Sequence, residues 1–102
     1  MIVQRNYEAA TGDEQREFAY RLFRKRSEHP EIMLIDKVEG RSFNDLDVWT
    51  YHIEDTTAHI SQNPQYCAVS LIGREGAIEP AVAMLERITN IKLNELREHS
   101  VA

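Results

Sequence analysis

The apolar residues between positions 12 and 28 recur with the period of an α-helix. Four of them share one stripe of a helical surface: Phe18, Ala19, Leu22 and Phe23. Acidic residues precede this stripe and basic residues follow it, which suits the partial charges at the two ends of a helix. The pattern therefore predicts a first helix over about residues 12–28, which Pro30 ends.

Three later segments have the composition of β-strands, because β-branched and aromatic side chains are frequent in them: residues 31–38, 48–53 and 66–72. Turn signals with Gly or Asn-Pro separate these segments. Residues 2–7 suit an additional strand. Residues 55–62 fit either a short strand or a helical turn that begins at Asp55.

The last segment predicts a second, longer helix. It begins near Pro80, which suits a first helical turn, and its apolar residues continue with helical spacing to about His99. The element order is then (β)-α-β-β-β-α. This order predicts an α+β fold, a two-layer sandwich in which both helices cover one face of a mainly antiparallel sheet. A length of 102 residues suits a single domain over residues 1–102.

The strand pattern conflicts with a sheet that is covered on one face only. Met33 and Ile35 would face away from Ile32 and Leu34, so apolar side chains occupy both faces. We therefore predict that a second copy of the chain covers part of the surface, in a homodimer. The residues expected at this self-association surface are Trp49, Tyr51, Met84 and Ile91.

The net charge of −5 is concentrated in the middle of the chain. Residues 31–76 hold three basic and eight acidic residues, whereas the segments on either side are close to neutral. Proteins that bind nucleic-acid backbones usually show the opposite balance, so a protein partner is expected. Six carboxylates are expected to face that partner: Asp36, Glu39, Asp45, Asp47, Glu54 and Asp55.

A basic run near the end of the first helix supports a second interpretation, a nucleic-acid- or ribosome-associated module. Its contact residues would be Arg21, Arg24, Lys25 and Arg26. At 100° per residue these side chains point around most of the helix, and the helix dipole already explains their position. The net charge also disfavours this interpretation.

Residues that could carry catalysis or bind a metal are few. His52 and His59 lie seven residues apart, and an odd separation would place them on opposite faces of one strand. Neither histidine has the spacing of known zinc ligands. The sequence therefore favours a protein without catalytic activity, metal or cofactor, and a small enzyme around His52, His59 and Asp55 is a further alternative.

The order of elements resembles that of the double-stranded-RNA-binding type of sandwich, which small ribosome-associated hibernation factors also use. The resemblance covers most of the chain and concerns its layout. Those proteins carry Lys/Arg-rich helix faces, whereas the last predicted helix here has three basic residues against four glutamates. The resemblance therefore implies the layered architecture and assigns no residue a role.

Other features of the sequence indicate a cellular compartment. Cys67 is the only cysteine, which excludes a disulfide within the chain and suits a reducing compartment. The sequence shows neither a secretory signal nor the roughly 20 consecutive apolar residues that span a bilayer. We therefore predict a small cytoplasmic, non-catalytic interaction or regulatory protein that self-associates and turns its acidic middle toward a protein partner.

Overall fold

Six strands and two α-helices form the described part of the chain. The structure is a computed structural model that describes residues 1–9, 13–42 and 45–96. A short 3-10 turn, Arg26–Glu28, follows the first helix. In chain order the elements are β1 (Ile2–Ala9), α1 (Asp13–Lys25), β2 (Ile32–Val38), β3 (Asp47–Ile53), β4 (Thr56–Asn63), β5 (Tyr66–Arg74), α2 (Glu75–Thr89) and β6 (Leu93–Glu95).

All six strands belong to one sheet with the spatial order β2-β3-β4-β5-β1-β6, and every neighbouring pair is antiparallel. Strands β2 to β5 form a meander, and tight turns connect β3 to β4 and β4 to β5. Strand β2 lies at one edge of the sheet and the three-residue β6 at the other. The predicted α+β sandwich with an antiparallel sheet is confirmed.

Only one face of the sheet is buried. Strand β4 alternates between buried and half-buried residues along its whole length. Strand β5 shows the same alternation from Cys67 to Gly73, and the residues at its two ends are exposed. Both helices cover the buried face. Gln62 of β4 bonds the backbone of α1, and the Thr56 hydroxyl donates to the Ala77 carbonyl of α2 at 3.5 Å. We call the opposite side, which neither α1 nor α2 covers, the open face.

Residues 2–7 form the additional strand that the sequence suits, and the segment 55–62 forms a strand after a turn at Asp55 rather than a helical turn. Strand β1 extends over Ile2–Ala9, and β4 over Thr56–Asn63. The first helix ends as predicted, with α1 and the 3-10 turn reaching Glu28. Its predicted start at residue 12 lies outside the described residues.

The predicted length of the last helix is wrong, because α2 ends at Thr89. Asn90 adopts a left-handed conformation with φ 57°, which stops a helix. The Thr89 hydroxyl donates to the Leu85 carbonyl at 2.7 Å and accepts the Ile91 N–H at 3.2 Å. The chain then turns back, and β6 pairs with β1.

The side-chain amide of Gln62 joins the two layers in the core. Its oxygen accepts the Ala19 N–H at 2.9 Å, and its nitrogen donates to the Arg16 carbonyl at 2.7 Å. Gln62 is only 4% exposed, so water cannot readily replace either partner. This amide therefore fixes the position of α1 on the sheet.

Replacing Gln62 by Leu is expected to lower the free energy of unfolding by about 2–4 kcal/mol, since one buried donor and one partly buried acceptor lose their partner. Urea denaturation followed by circular dichroism measures the change. Gln65→Leu, in the exposed turn before β5, is the matched control and should change the free energy by less than about 0.5 kcal/mol. Equal stabilities of the two variants would contradict this role of Gln62.

Candidate functional site

The six carboxylates predicted to face a partner fall into two groups at opposite ends of β3. Glu39, Asp45 and Asp47 lie in or beside the β2–β3 loop, with Asp36 on the strand before it. The other two, Glu54 and Asp55, form the turn between β3 and β4. Strand β3 separates Asp47 from Glu54 by about 20 Å, and Asp36 lies opposite Thr50 in the middle of that strand, so the structure does not bring the six together.

The carboxylates of the loop group are bonded within the chain. Asp47 Oδ1 accepts the Gly40 N–H at 2.8 Å, and Asp45 Oδ2 accepts the N–H groups of Arg41 and Ser42 at 3.0 Å each. The loop also passes close to Gly40, where a Cβ atom would lie 2.4 Å from the Asp45 Cβ. Asp45 and Asp47 therefore hold the loop in shape.

The two remaining members of this group also have partners nearby. Asp36 Oδ1 accepts the Lys37 N–H at 2.9 Å, and Glu39 pairs with the Lys37 ammonium at 3.0 Å. Both pairs are exposed, and exposed pairs of this kind contribute little to stability.

The turn group lines a cavity of about 530 Å³ at the N-terminus of α2, which we call the acidic cavity. Three carboxylates line it: Glu54, Asp55 and Glu75. Asp55 forms an ion pair with Arg74, and Glu75 lies 3.8 Å from Arg5. The apolar part of the lining includes Ile53, Pro80, Ala81 and Met84. Met84, predicted for self-association, thus lies beside two of the predicted acidic residues.

Two of the three carboxylates at the acidic cavity already have an ion-pair partner. Asp55 pairs with Arg74 and Glu75 with Arg5, and the N-terminus of α2 adds a partial positive charge of about half a unit. Among the described residues Glu54 has no ion-pair partner, so it is the carboxylate through which the cavity can attract a cation. Met84 and Pro80 offer apolar surface for the aliphatic stem of a Lys or Arg side chain, whose charged end would reach the carboxylates.

The other residues predicted for self-association are buried within the chain. Trp49 is 2% exposed and lies under α1, where the rings of Tyr20 and Phe23 meet it edge-on at 5.8 and 5.2 Å. Tyr51 and Ile91 are also core residues. These three side chains are therefore covered by the chain itself and leave only Met84 near the surface.

Exposed apolar side chains lie instead on the edge strand β2. Met33 is 63% exposed, Ile35 48% and Val38 57%. A β-bulge at Ile35 interrupts the pairing of β2 with β3, and Met33 and Val38 lie on the open face. We call these three residues the apolar edge. The sequence shows that apolar side chains of this strand fall on both faces. It does not show that β2 is an edge strand, because that depends on the order of the strands in the sheet.

The basic residues of α1 are brought together only in part. Arg21, Arg24 and Lys25 line a depression of about 470 Å³ beside the end of α2. Arg21 is already bonded to Glu17 and to the Thr89 carbonyl. Arg26 turns away, and its guanidinium lies 3.7 Å from the centre of the Phe23 ring.

Contrary to the prediction, His52 and His59 lie on the same face of the sheet. The turn at Glu54 and Asp55 reverses the chain, so an odd separation returns both histidines to the open face on adjacent strands. Asp55 lies at the end of the hairpin and pairs with Arg74. The three residues therefore do not form one site.

The described residues offer neither a metal site nor a reactive thiol. In the described ranges 1–9, 13–42 and 45–96, no three His, Cys, Asp or Glu side chains are grouped so that they could hold a metal ion. Burial raises the pKa of the Cys67 thiol to about 12, so this thiol is protonated at neutral pH and is a poor nucleophile.

Comparison of the chain with models of protein families, with curated proteins and with solved structures finds no match in any of the three. None of the helices in the described part of the chain is long and apolar enough to cross a membrane.

Asp45→Ala is expected to lower the free energy of unfolding by about 1 kcal/mol, because two backbone N–H groups lose the carboxylate that fixes the loop. Thermal unfolding of the variant measures this change. Asp36→Ala, which removes a carboxylate bonded only to the next residue, should cost less than about 0.5 kcal/mol. An Asp45→Ala protein as stable as the wild type would mean that the carboxylate is free for another role.

Proposed function

We propose that the protein is a small, non-catalytic interaction protein of the cytoplasm that self-associates through the apolar edge. The observation that carries this proposal is the exposure of Met33, Ile35 and Val38 on β2, an edge strand that pairs with β3 on one side only. An exposed strand edge offers backbone donors and acceptors to another strand, and apolar side chains there are costly to leave in water.

A second copy of the chain is the partner that suits this edge. Antiparallel pairing of two β2 strands about a two-fold axis would join the sheets into one of twelve strands. It would also cover the apolar edge of both copies. Strand β2 carries charges of both signs, Asp36 and Lys37, so the two edges need not repel each other.

The acidic cavity supports a second contact, with a protein partner that carries basic side chains. Glu54, Asp55 and Glu75 line it together with apolar side chains such as Met84, which matches the chemistry of a Lys or Arg side chain. Of the six carboxylates predicted to face a partner, this proposal keeps the two in the turn group, Glu54 and Asp55. The cavity lies at the end of β3 remote from the loop group, so it acts independently of Asp45 and Asp47.

Light scattering tests self-association. At micromolar concentration the wild type is expected to have twice the 11.8 kDa mass of one chain, and Met33→Lys with Val38→Lys should reduce it to the monomer. Thr57→Lys, on the central part of the open face, is the control: it would disrupt a face-to-face dimer but not an edge-to-edge one. A monomeric wild type contradicts the proposal. A peak rich in absorbance at 260 nm would favour nucleic-acid binding through Arg24 and Lys25.

The acidic cavity is tested with a tetralysine peptide and amide NMR spectra at low salt. Signals of residues around Glu54, Gly76 and Met84 are expected to shift, and Glu54→Lys with Glu75→Lys should weaken binding about tenfold. Added salt should weaken it as well, because the contacts are exposed. Asp36→Lys with Glu39→Lys, which changes the charge by the same amount on β2 and in the loop after it, should leave the affinity unchanged. An equal loss of peptide affinity in both variants would mean that the peptide is held by nonspecific electrostatic attraction to the whole protein.

A further inference from the structure

The open face carries a cavity that none of the contacts proposed above uses. It lies over β4, β5 and β1, holds about 300 Å³, and is separated from the apolar edge by β3. Six side chains are relevant to its chemistry: Asn6, His59, Ser61, Tyr66, Ser70 and Leu96. We call it the open-face cavity. Its volume is at the lower end of the range of small-molecule sites.

Three polar residues form a straight row across the cavity floor. His59 of β4 lies directly opposite Ser70 of β5, and Ser70 lies directly opposite Asn6 of β1. Neighbouring strands are about 4.8 Å apart, so the row spans about 10 Å. It offers an imidazole, a hydroxyl and an amide side by side.

Hydrogen bonds from flanking residues orient this row. Thr50 Oγ1 lies 3.1 Å from His59 Nδ1, and Gln4 Nε2 donates to Ser70 Oγ at 2.9 Å and to Asn6 Oδ1 at 3.4 Å. In the described part of the chain no protein atom bonds the other ring nitrogen of His59. The Ser70 hydroxyl proton and the Asn6 amide nitrogen likewise keep capacity to bond a ligand.

The lining also limits the charge of the ligand. Among the described residues, no Asp, Glu, Lys or Arg lines the cavity, so a charged ligand would lose hydration without an opposite charge to replace it. Tyr66 and Leu96, which are 40% and 38% exposed, add apolar surface beside the polar row. A fitting ligand is therefore uncharged, with several hydroxyl groups and one apolar face.

The cavity is suited to binding rather than to acyl-transfer chemistry. Ser70 and His59 could suggest a nucleophile and its base, but such a reaction also needs free N–H donors for a developing oxyanion. The floor is made of paired strands, whose backbone N–H groups serve the sheet. We infer that His59, Ser70 and Asn6, with Tyr66 beside them, bind one ring of an uncharged sugar.

A sugar ring matches both parts of this lining. Its hydroxyl groups can bond the row of donors and acceptors, while its C–H face can cover the ring of Tyr66. The site does not depend on self-association at β2 or on the acidic cavity. Its test can therefore fail or succeed independently of theirs.

Amide NMR spectra test the site with D-glucose, D-galactose, D-mannose and N-acetyl-D-glucosamine at millimolar concentration, and with uridine as a planar uncharged comparison. At least one sugar is expected to shift the signals of Asn6, His59 and Ser70 in a saturable manner. Ser70→Ala and Tyr66→Ala should each weaken that binding about tenfold. Thr57→Ala, on the open face but outside the cavity, should leave it unchanged.

The outcomes separate the alternatives. Absence of any shift with all four sugars overturns the inference, and so does binding of uridine alone, which would indicate a site for a planar base. Shifts that persist unchanged in Ser70→Ala and Tyr66→Ala overturn it as well. Both substitutions replace side chains that are at least partly exposed. The dispersion of the amide signals of each variant protein verifies that the variant is folded.

Discussion

The architecture depends on the burial of one sheet face beneath two helices. Strand side chains alternate between faces, and α1 and α2 both lie on the side that holds Trp49, Ile60 and Leu71. The amide of Gln62 fixes α1 there from within the core. Because no third helix exists in the described chain, the opposite face and the edge strand β2 stay uncovered, and both the apolar edge and the open-face cavity lie there.

Local patterns were sufficient for most elements, but not for the end of α2. The apolar spacing continues through Ile91 and Leu93, and both side chains are indeed buried. They reach the core from a turn and from a strand, because left-handed Asn90 reverses the chain between them and the helix. The segment 55–62 was ambiguous for a related reason: its residues suit either state, and pairing with β3 and β5 decides between them.

The candidate sites were harder to predict, because they depend on which strands are neighbours. Glu54 and Asp47 are near in sequence, yet an extended strand holds them far apart, while a tight turn brings His52 and His59 to one face. The row of His59, Ser70 and Asn6 joins three strands that are distant in sequence. The composition of the sequence predicts each strand separately. The register that aligns these residues depends on how all the strands of the sheet pair, so it cannot be read from one segment.

We propose that two copies of the chain meet at the uncovered edge of β2. Amide hydrogen exchange, measured on dilute and on concentrated protein, tests this contact most directly because it reports each strand separately. Amides of β2 are expected to become more protected as concentration rises, while those of the central strands β4 and β5 do not change. Exchange in β2 that is independent of concentration, or protection that appears on another element instead, would contradict self-association through β2.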